Sequence, residues 1–174
     1  NKNLQYVVNR KLREFSIQKD SESPGNSLDY SYDGDFQVAF FKKNLVEINI
    51  NGYNYPFGAA YGMPLKIYVP VDLVKGKIYN LKDLFKEDSD YVKILSEIIR
   101  RQIVELGTDS GIWLDSYKGI AADQPFFVTE KSLNIYFTPY EIAPYAAGFP
   151  TFKILFKDII KIIDTNGDFW KAFN

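Results

Sequence analysis

Three short runs in the first half of the chain place an apolar residue at every second position: Phe36-Gln37-Val38-Ala39-Phe40, Val46-Glu47-Ile48-Asn49-Ile50-Asn51 and Leu65-Lys66-Ile67-Tyr68-Val69. A period of two is that of a β-strand with one face buried and one wet. Strands of that kind need hydrogen-bonded neighbours and an apolar cover, so this pattern constrains the fold more than any other feature. Lys43-Asn44 supplies a tight turn between the first two runs, and Pro70 and Gly76 punctuate the exit of the third.

Helical spacing occurs at the start and in the middle of the chain. Leu4, Val7, Val8, Leu12 and Phe15 predict an amphipathic helix of about four turns, which ends before a polar loop at Ser21-Glu22-Ser23-Pro24-Gly25-Asn26-Ser27. Asp88 to Val104 predict a longer one, with Tyr91, Leu95, Ile98, Ile99 and Ile103 on its apolar stripe. Ser89 or Asp90 is expected to cap its first turn, and Gly107 suits the left-handed turn beyond it. Phe126–Val128 and Leu133–Phe137 read as a hairpin closed by Thr129-Glu130-Lys131-Ser132, and Phe152–Phe156 as a last strand. Two short helices, Asp158–Ile163 and Asp168–Phe173, are separated by Asn166-Gly167. Helices set beside hairpin-linked strands indicate an α+β fold. At 174 residues the expected arrangement is two small packed lobes, 1–75 and 76–174.

The chain has neither His nor Cys, which excludes His-dependent triads, cysteine nucleophiles, disulfides and the usual zinc sites. Lys+Arg number 21 against 22 Asp+Glu, so the whole chain has no electrostatic bias towards nucleic acid or anionic membranes. No run approaches the ~18 apolar residues of a membrane span. The chain starts at Asn1 without a signal-like stretch and reads as a mature or trimmed fragment. Its aromatic share, 17%, exceeds what a core rich in Leu, Ile and Val requires, so some rings reach the surface.

Without histidine, acid–base chemistry falls to carboxylates. Asp29, Asp33 and Asp35 cluster in one loop, and Asp109 and Asp115 flank Trp113. With Glu141 they are the candidates for a carboxylate-dependent glycan hydrolase, although short acidic residues beside Gly and Ser also serve as turn chemistry. Asp164-Thr165-Asn166-Gly167-Asp168 spaces its oxygens as a calcium loop does, but Phe169 stands where an EF-hand needs Gly, and the bidentate Glu would lie beyond Asn174. A turn with Asp168 capping the last helix accounts for the same residues. Gly58-Ala59-Ala60-Tyr61-Gly62 matches no phosphate-binding loop, and no metal or cofactor is implied. The most informative stretch is Thr138 to Pro150, whose prolines and tyrosines describe a rigid non-helical connection suited to a contact surface. Pro139, Tyr140, Pro144 and Tyr145 are its contact candidates, and Glu141 can lock the turn through backbone N–H groups.

Phe126 to Gly148, and above all Tyr140-Glu141-Ile142-Ala143-Pro144-Tyr145-Ala146-Ala147-Gly148, closely resembles a bacterial extracytoplasmic domain family. Its best-known members are the lysozyme-sensing anti-sigma factor RsiV and the peptidoglycan deacetylase PdaC. Tyr53 to Gly62 is similar to the family's Gly-Gly-Ala-His-Gly turn, with Tyr61 where the pattern has His, and Leu73 to Phe85 resembles the segment leading into the long helix. The resemblance implies a non-catalytic binding or sensing module outside the cytoplasm, exported or anchored through a segment not in this sequence. Tyr61 and Glu141 complete the candidate contacts, and any family role that needs an imidazole cannot be carried over to position 61. A lysozyme-like protein or peptidoglycan is the candidate partner, although the resemblance itself does not imply lysozyme binding, because partner choice depends on surface residues that vary within a family. An intracellular domain with no envelope role is the competing reading.

Overall fold

A computed structural model of the chain describes residues 10, 30–56 and 60–174. The helix expected from Leu4 to Phe15 (Arg10 excepted), the loop at Ser21–Ser27, Asp29 and Gly58-Ala59 lie outside them. The backbone divides into two compact units, residues 1–37 with 50–66 and residues 38–49 with 67–174.

The alternating runs form strands, each longer than its periodic stretch: β1 (Tyr30–Lys42), β2 (Leu45–Pro56) and β3 (Met63–Asp72). With β4 (Lys77–Ile78) they make a four-stranded sheet in the order β1-β2-β3-β4. Lys43 turns between the first two strands at φ 49°, as the Lys43-Asn44 pair suggests. Pro70 does not end β3. It has no N–H to withhold from the ladder, its carbonyl accepts the Tyr79 N–H at 3.0 Å, and Val71 and Asp72 go on to pair with Ile78 and Lys77. Solvent exposure departs from simple alternation. Val38 and Phe41 of β1 are exposed, whereas Leu45 to Ile50 of β2 are buried on both faces, Glu47 and Asn49 included.

In the first unit the rings of Tyr53 and Tyr55 lie 6.0 Å apart. A Cβ at position 62 would stand 2.7 Å from the Tyr55 ring, so glycine is what lets that ring lie against the backbone.

The second unit holds the main core. Helix α1 (Tyr91–Leu106) buries Leu95, Ile99 and Ile103 at the spacing the sequence predicts, and Gly107 ends it at φ 73°. Neither expected cap forms. Asp90 occupies the N-cap position with ψ 54° rather than extended, which leaves its side chain without a bond to the helix, and the Ser89 hydroxyl donates to the Lys86 carbonyl at 2.7 Å. The predicted hairpin is β5 (Phe126–Val128) with β6 (Ser132–Tyr136), in the register Phe126 opposite Ile135 and Val128 opposite Leu133. β7 (Thr151–Leu155) completes a three-stranded antiparallel sheet on the other side of β6. Two short helices follow, α2 (Phe156–Ile159) and α3 (Asp168–Phe173). Asp168 is the first residue of α3 rather than its cap, and its carboxylate pairs with Lys75 Nζ at 2.5 Å. Asp164 Oδ1 accepts the Asn166 N–H at 3.1 Å, so the calcium-like run is a turn. Two antiparallel sheets with packed helices make the fold α+β, as expected.

Aromatic rings knit this core together. Tyr79 stacks on Phe169 at 4.5 Å and Phe85 on Tyr91 at 4.7 Å, while Phe173 meets both Phe156 and Trp170. Helix α1 presents a clean contrast, since Ile99 is fully buried and Val104 is 59% exposed. Ile99→Ala is expected to cost about 2–5 kcal/mol and Val104→Ala about 0.5 kcal/mol or less, read as the shift in urea midpoint at constant slope.

Candidate functional site

The Pro- and Tyr-rich segment follows β6 directly. Phe137 is buried and donates its N–H to Pro150 O at 3.0 Å, so the two ends of the segment are tied together. Between them the chain turns twice. Tyr140 N–H bonds Ala143 O at 3.0 Å and Glu141 N–H bonds Thr138 O at 3.1 Å. Further on, Ala147 N–H bonds Pro144 O and Gly148 N–H bonds Tyr145 O.

Glu141 locks the first turn as its sequence context suggests. Oε2 accepts the Thr138 N–H at 2.8 Å and the Thr138 hydroxyl at 3.1 Å, and Oε1 accepts Gln124 Nε2 at 3.2 Å. The same Gln124 amide also reaches Tyr136 O at 3.1 Å and, through its carbonyl, takes the Ala121 N–H, so its own loop, the end of β6 and the Glu141 turn share one side chain. Pro139, Ile142 and Ala143 are buried beneath the turn. Pro139 and Glu141 therefore hold the segment, and the rings of Tyr140 and Tyr145 are its outward features. Their centroids are 5.9 Å apart with planes inclined at 40°. Tyr140 is 51% exposed and sits at φ +71°. A bulky residue in that region costs on the order of 1 kcal/mol, and the Tyr140–Ala143 and Glu141 bonds hold it there.

A second exposed ring belongs to a residue bonded to this turn, and sequence reading did not place it there. Trp113 N–H donates to Ile142 O at 2.8 Å, which sets Trp113 (42% exposed) and Leu114 beside the turn. Trp113 stood out in the sequence only through its flanking aspartates, and nothing local signals a backbone bond to a residue so far along the chain. Of the candidate carboxylates, Asp109 and Asp115 are exposed in short turns next to Trp113, and Asp33 and Asp35 are exposed on β1, where Asp35 Oδ1 accepts the neighbouring Phe36 N–H at 2.7 Å. Tyr61, the remaining candidate contact, is 64% exposed and lies in the other compact unit.

One functional candidate escaped the sequence entirely. Glu47 is fully buried, and burial pushes its carboxyl up to about 8, opposed by the Val128 N–H that it accepts at 3.1 Å. Its strand reads as half-wet, which assigned this residue to solvent.

With this geometry in view, comparison with known proteins places the fold. Residues 82–157 match a family model described as a protein of unknown function, DUF3298. The peptidoglycan-N-acetylmuramic acid deacetylase PdaC of Bacillus subtilis (strain 168) is 26% identical over 169 residues, covering 91% of this chain. The chain spans about a third of that relative, 35% of its length. A DUF3298-family crystal structure from Bacteroides fragilis NCTC 9343 superposes with TM-score 0.68 at 20% identity, over 94% of this chain and 66% of that one. Another, from Pseudomonas aeruginosa PAO1, superposes with TM-score 0.70 at 18% identity, over 98% and 81%. The match to the DUF3298 model is confined to residues 82–157, and the expected likeness to PdaC is borne out.

The division of labour within the turn is testable. Glu141→Ala is expected to lower stability by about 1–3 kcal/mol, because three donors lose a charged acceptor. Tyr140→Asn, which tolerates positive φ, is expected to leave it within about 1 kcal/mol, both measured by chemical unfolding.

Proposed function

We propose that this chain is a non-catalytic binding module of the bacterial cell envelope, acting outside the cytoplasm, and that Trp113, Tyr140 and Tyr145 form its contact face. The observation that carries this reading is the exposed Tyr140 ring beside the half-buried Tyr145 ring, on a turn held by backbone bonds and by the Glu141 carboxylate. Such a surface loses little conformational freedom on binding, and Trp and Tyr are the side chains that dominate contact energetics. The partner is a cell-wall glycan or a lysozyme-like protein. The glycan is favoured because the relative PdaC is named for deacetylation of peptidoglycan, and flat exposed rings offer stacking faces to a sugar. That relative extends well beyond the part this chain matches, which leaves its chemistry room to reside elsewhere. Tyr61 serves as a second contact in the other unit.

Calorimetric titration with defined peptidoglycan fragments and, separately, with lysozymes tests the reading. Binding to the fragments that weakens at least about tenfold in Tyr140→Ala and Trp113→Ala, with thermal midpoints near that of the wild type, is the expected result. Wild-type protein that binds neither class overturns it.

A further inference from the structure

On β2, Leu45, Glu47 and Asn49 share a face, and Leu45 on that face belongs to the core that includes Phe126, Val128, Leu133 and Ile135 of the second sheet. Glu47 is 0% and Asn49 5% exposed. The Glu47 carboxyl bridges the two sheets, with Oε2 accepting the N–H of Val128, the last residue of β5. Its other oxygen, Oε1, is buried without a partner, and so is Asn49 Oδ1.

Among the described residues, the groups around it carry no compensating charge. β3 contributes Tyr68, whose ring stacks on Phe127 at 4.2 Å and meets the Tyr136 ring edge-on at 5.6 Å. β6 contributes Tyr136, whose hydroxyl oxygen accepts the Tyr68 N–H at 3.3 Å. These two phenols are the titratable groups that sense Glu47, and both are raised chiefly by burial, with a smaller contribution from its charge. β5 offers only the Val128 N–H and apolar side chains, and no Lys or Arg pairs with Glu47 among the described residues. Asp72, the other buried carboxylate among the described residues, is by contrast well supplied with donors. It accepts the N–H groups of Val74 and Lys75 and the hydroxyl of Tyr79, each at 2.9 Å.

A neutral Glu47 turns Oε1 from an orphan acceptor into a donor, and Asn49 Oδ1, two residues along on the same strand face, is a buried acceptor without a partner. An ionised Glu47 has one hydrogen bond in a dry site, and water must be admitted to support the charge.

We propose that Glu47 is a proton-operated latch between β2 and the β5–β6 hairpin, closed when its carboxyl is neutral and sprung when it ionises. The hairpin runs directly into the Thr138–Gly148 turn, so the latch governs how firmly that turn is held. It stands whatever partner the turn takes. Because the carboxyl titrates near 8 when folded and near 4.5 when unfolded, its stabilisation is fully present below about 4.5 and is lost as the pH rises through about 8.

Carboxyl-carbon NMR titration of the wild-type chain reads the group directly, and hydrogen exchange reads the latch at the Val128 amide. The expected results are a Glu47 midpoint near 8 and a Val128 protection factor that falls at least about tenfold between pH 7 and 9, with Glu47→Gln showing no such fall. A midpoint near 4.5 overturns the proposal, as does Val128 protection that stays constant across that range in the wild type. Both decisive readings come from the wild type, so they hold whether or not the variant folds.

Discussion

The polar face of β6 has no water to turn to. Ser132, Asn134 and Tyr136 alternate with Leu133 and Ile135, and all five residues are buried. Polar groups in that position must be bonded within the protein. The Ser132 hydroxyl lies 2.7 Å from that of Thr129 and accepts Asn134 Nδ2 at 3.2 Å, and the Tyr136 hydroxyl accepts the Tyr68 N–H. Leu133 and Ile135 meanwhile join the core that contains Ile99 and Ile103 of α1 and Ile154 of β7. With one face apolar and the other a bonded polar set, a one-residue slip would exchange the two and ruin both. The register of β6 against β5 and β7 is thereby fixed from both sides.

That register positions the contact face. Phe137, the next residue, is sunk into the core against Tyr117 and Phe152, and the chain leaves it already committed to a direction. The buried Pro139, Ile142 and Ala143 then act as pegs, and Glu141 ties the turn to Gln124. Tyr140 is left outside because the positive φ reverses the backbone just where the pegs pull it inward. The exposed ring is a consequence of packing beneath it, and so its geometry is set before any partner arrives.

What could be read from sequence divides along the same line. Alternation revealed that β2 and β6 are strands, because it reports which side chains differ in polarity. It could not reveal what lies opposite each face, since that depends on a sheet formed some eighty residues later in the chain, where Val128 meets Glu47. Polar positions were accordingly assigned to solvent, and Glu47 was missed. The Thr138–Pro150 turn was legible because prolines and a locking carboxylate act within a few residues. Trp113 was not, because a backbone bond to Ile142 leaves no side-chain pattern. The expected caps at Ser89 or Asp90 and at Asp168 failed for a related reason, because other bonds engaged Ser89 and Asp168 and backbone geometry kept Asp90 from bonding its helix.

Asp72 and Glu47 show how position within a strand decides the fate of a buried acid. Asp72 ends β3, where the chain turns and amides are free of the ladder, and it collects two of them together with a phenol. Glu47 lies inside β2, where neighbouring amides are spent on strand pairing, so the donor it finds belongs to the other sheet. An apolar residue of similar volume at that site would leave the buried Val128 N–H without its acceptor and Asn49 Oδ1 still unpartnered. The carboxyl supplies that acceptor at the cost of burying an ionisable group. What it adds is a dependence of the sheet-to-sheet contact on one proton, and the contact it controls is the one that holds the hairpin leading to Tyr140.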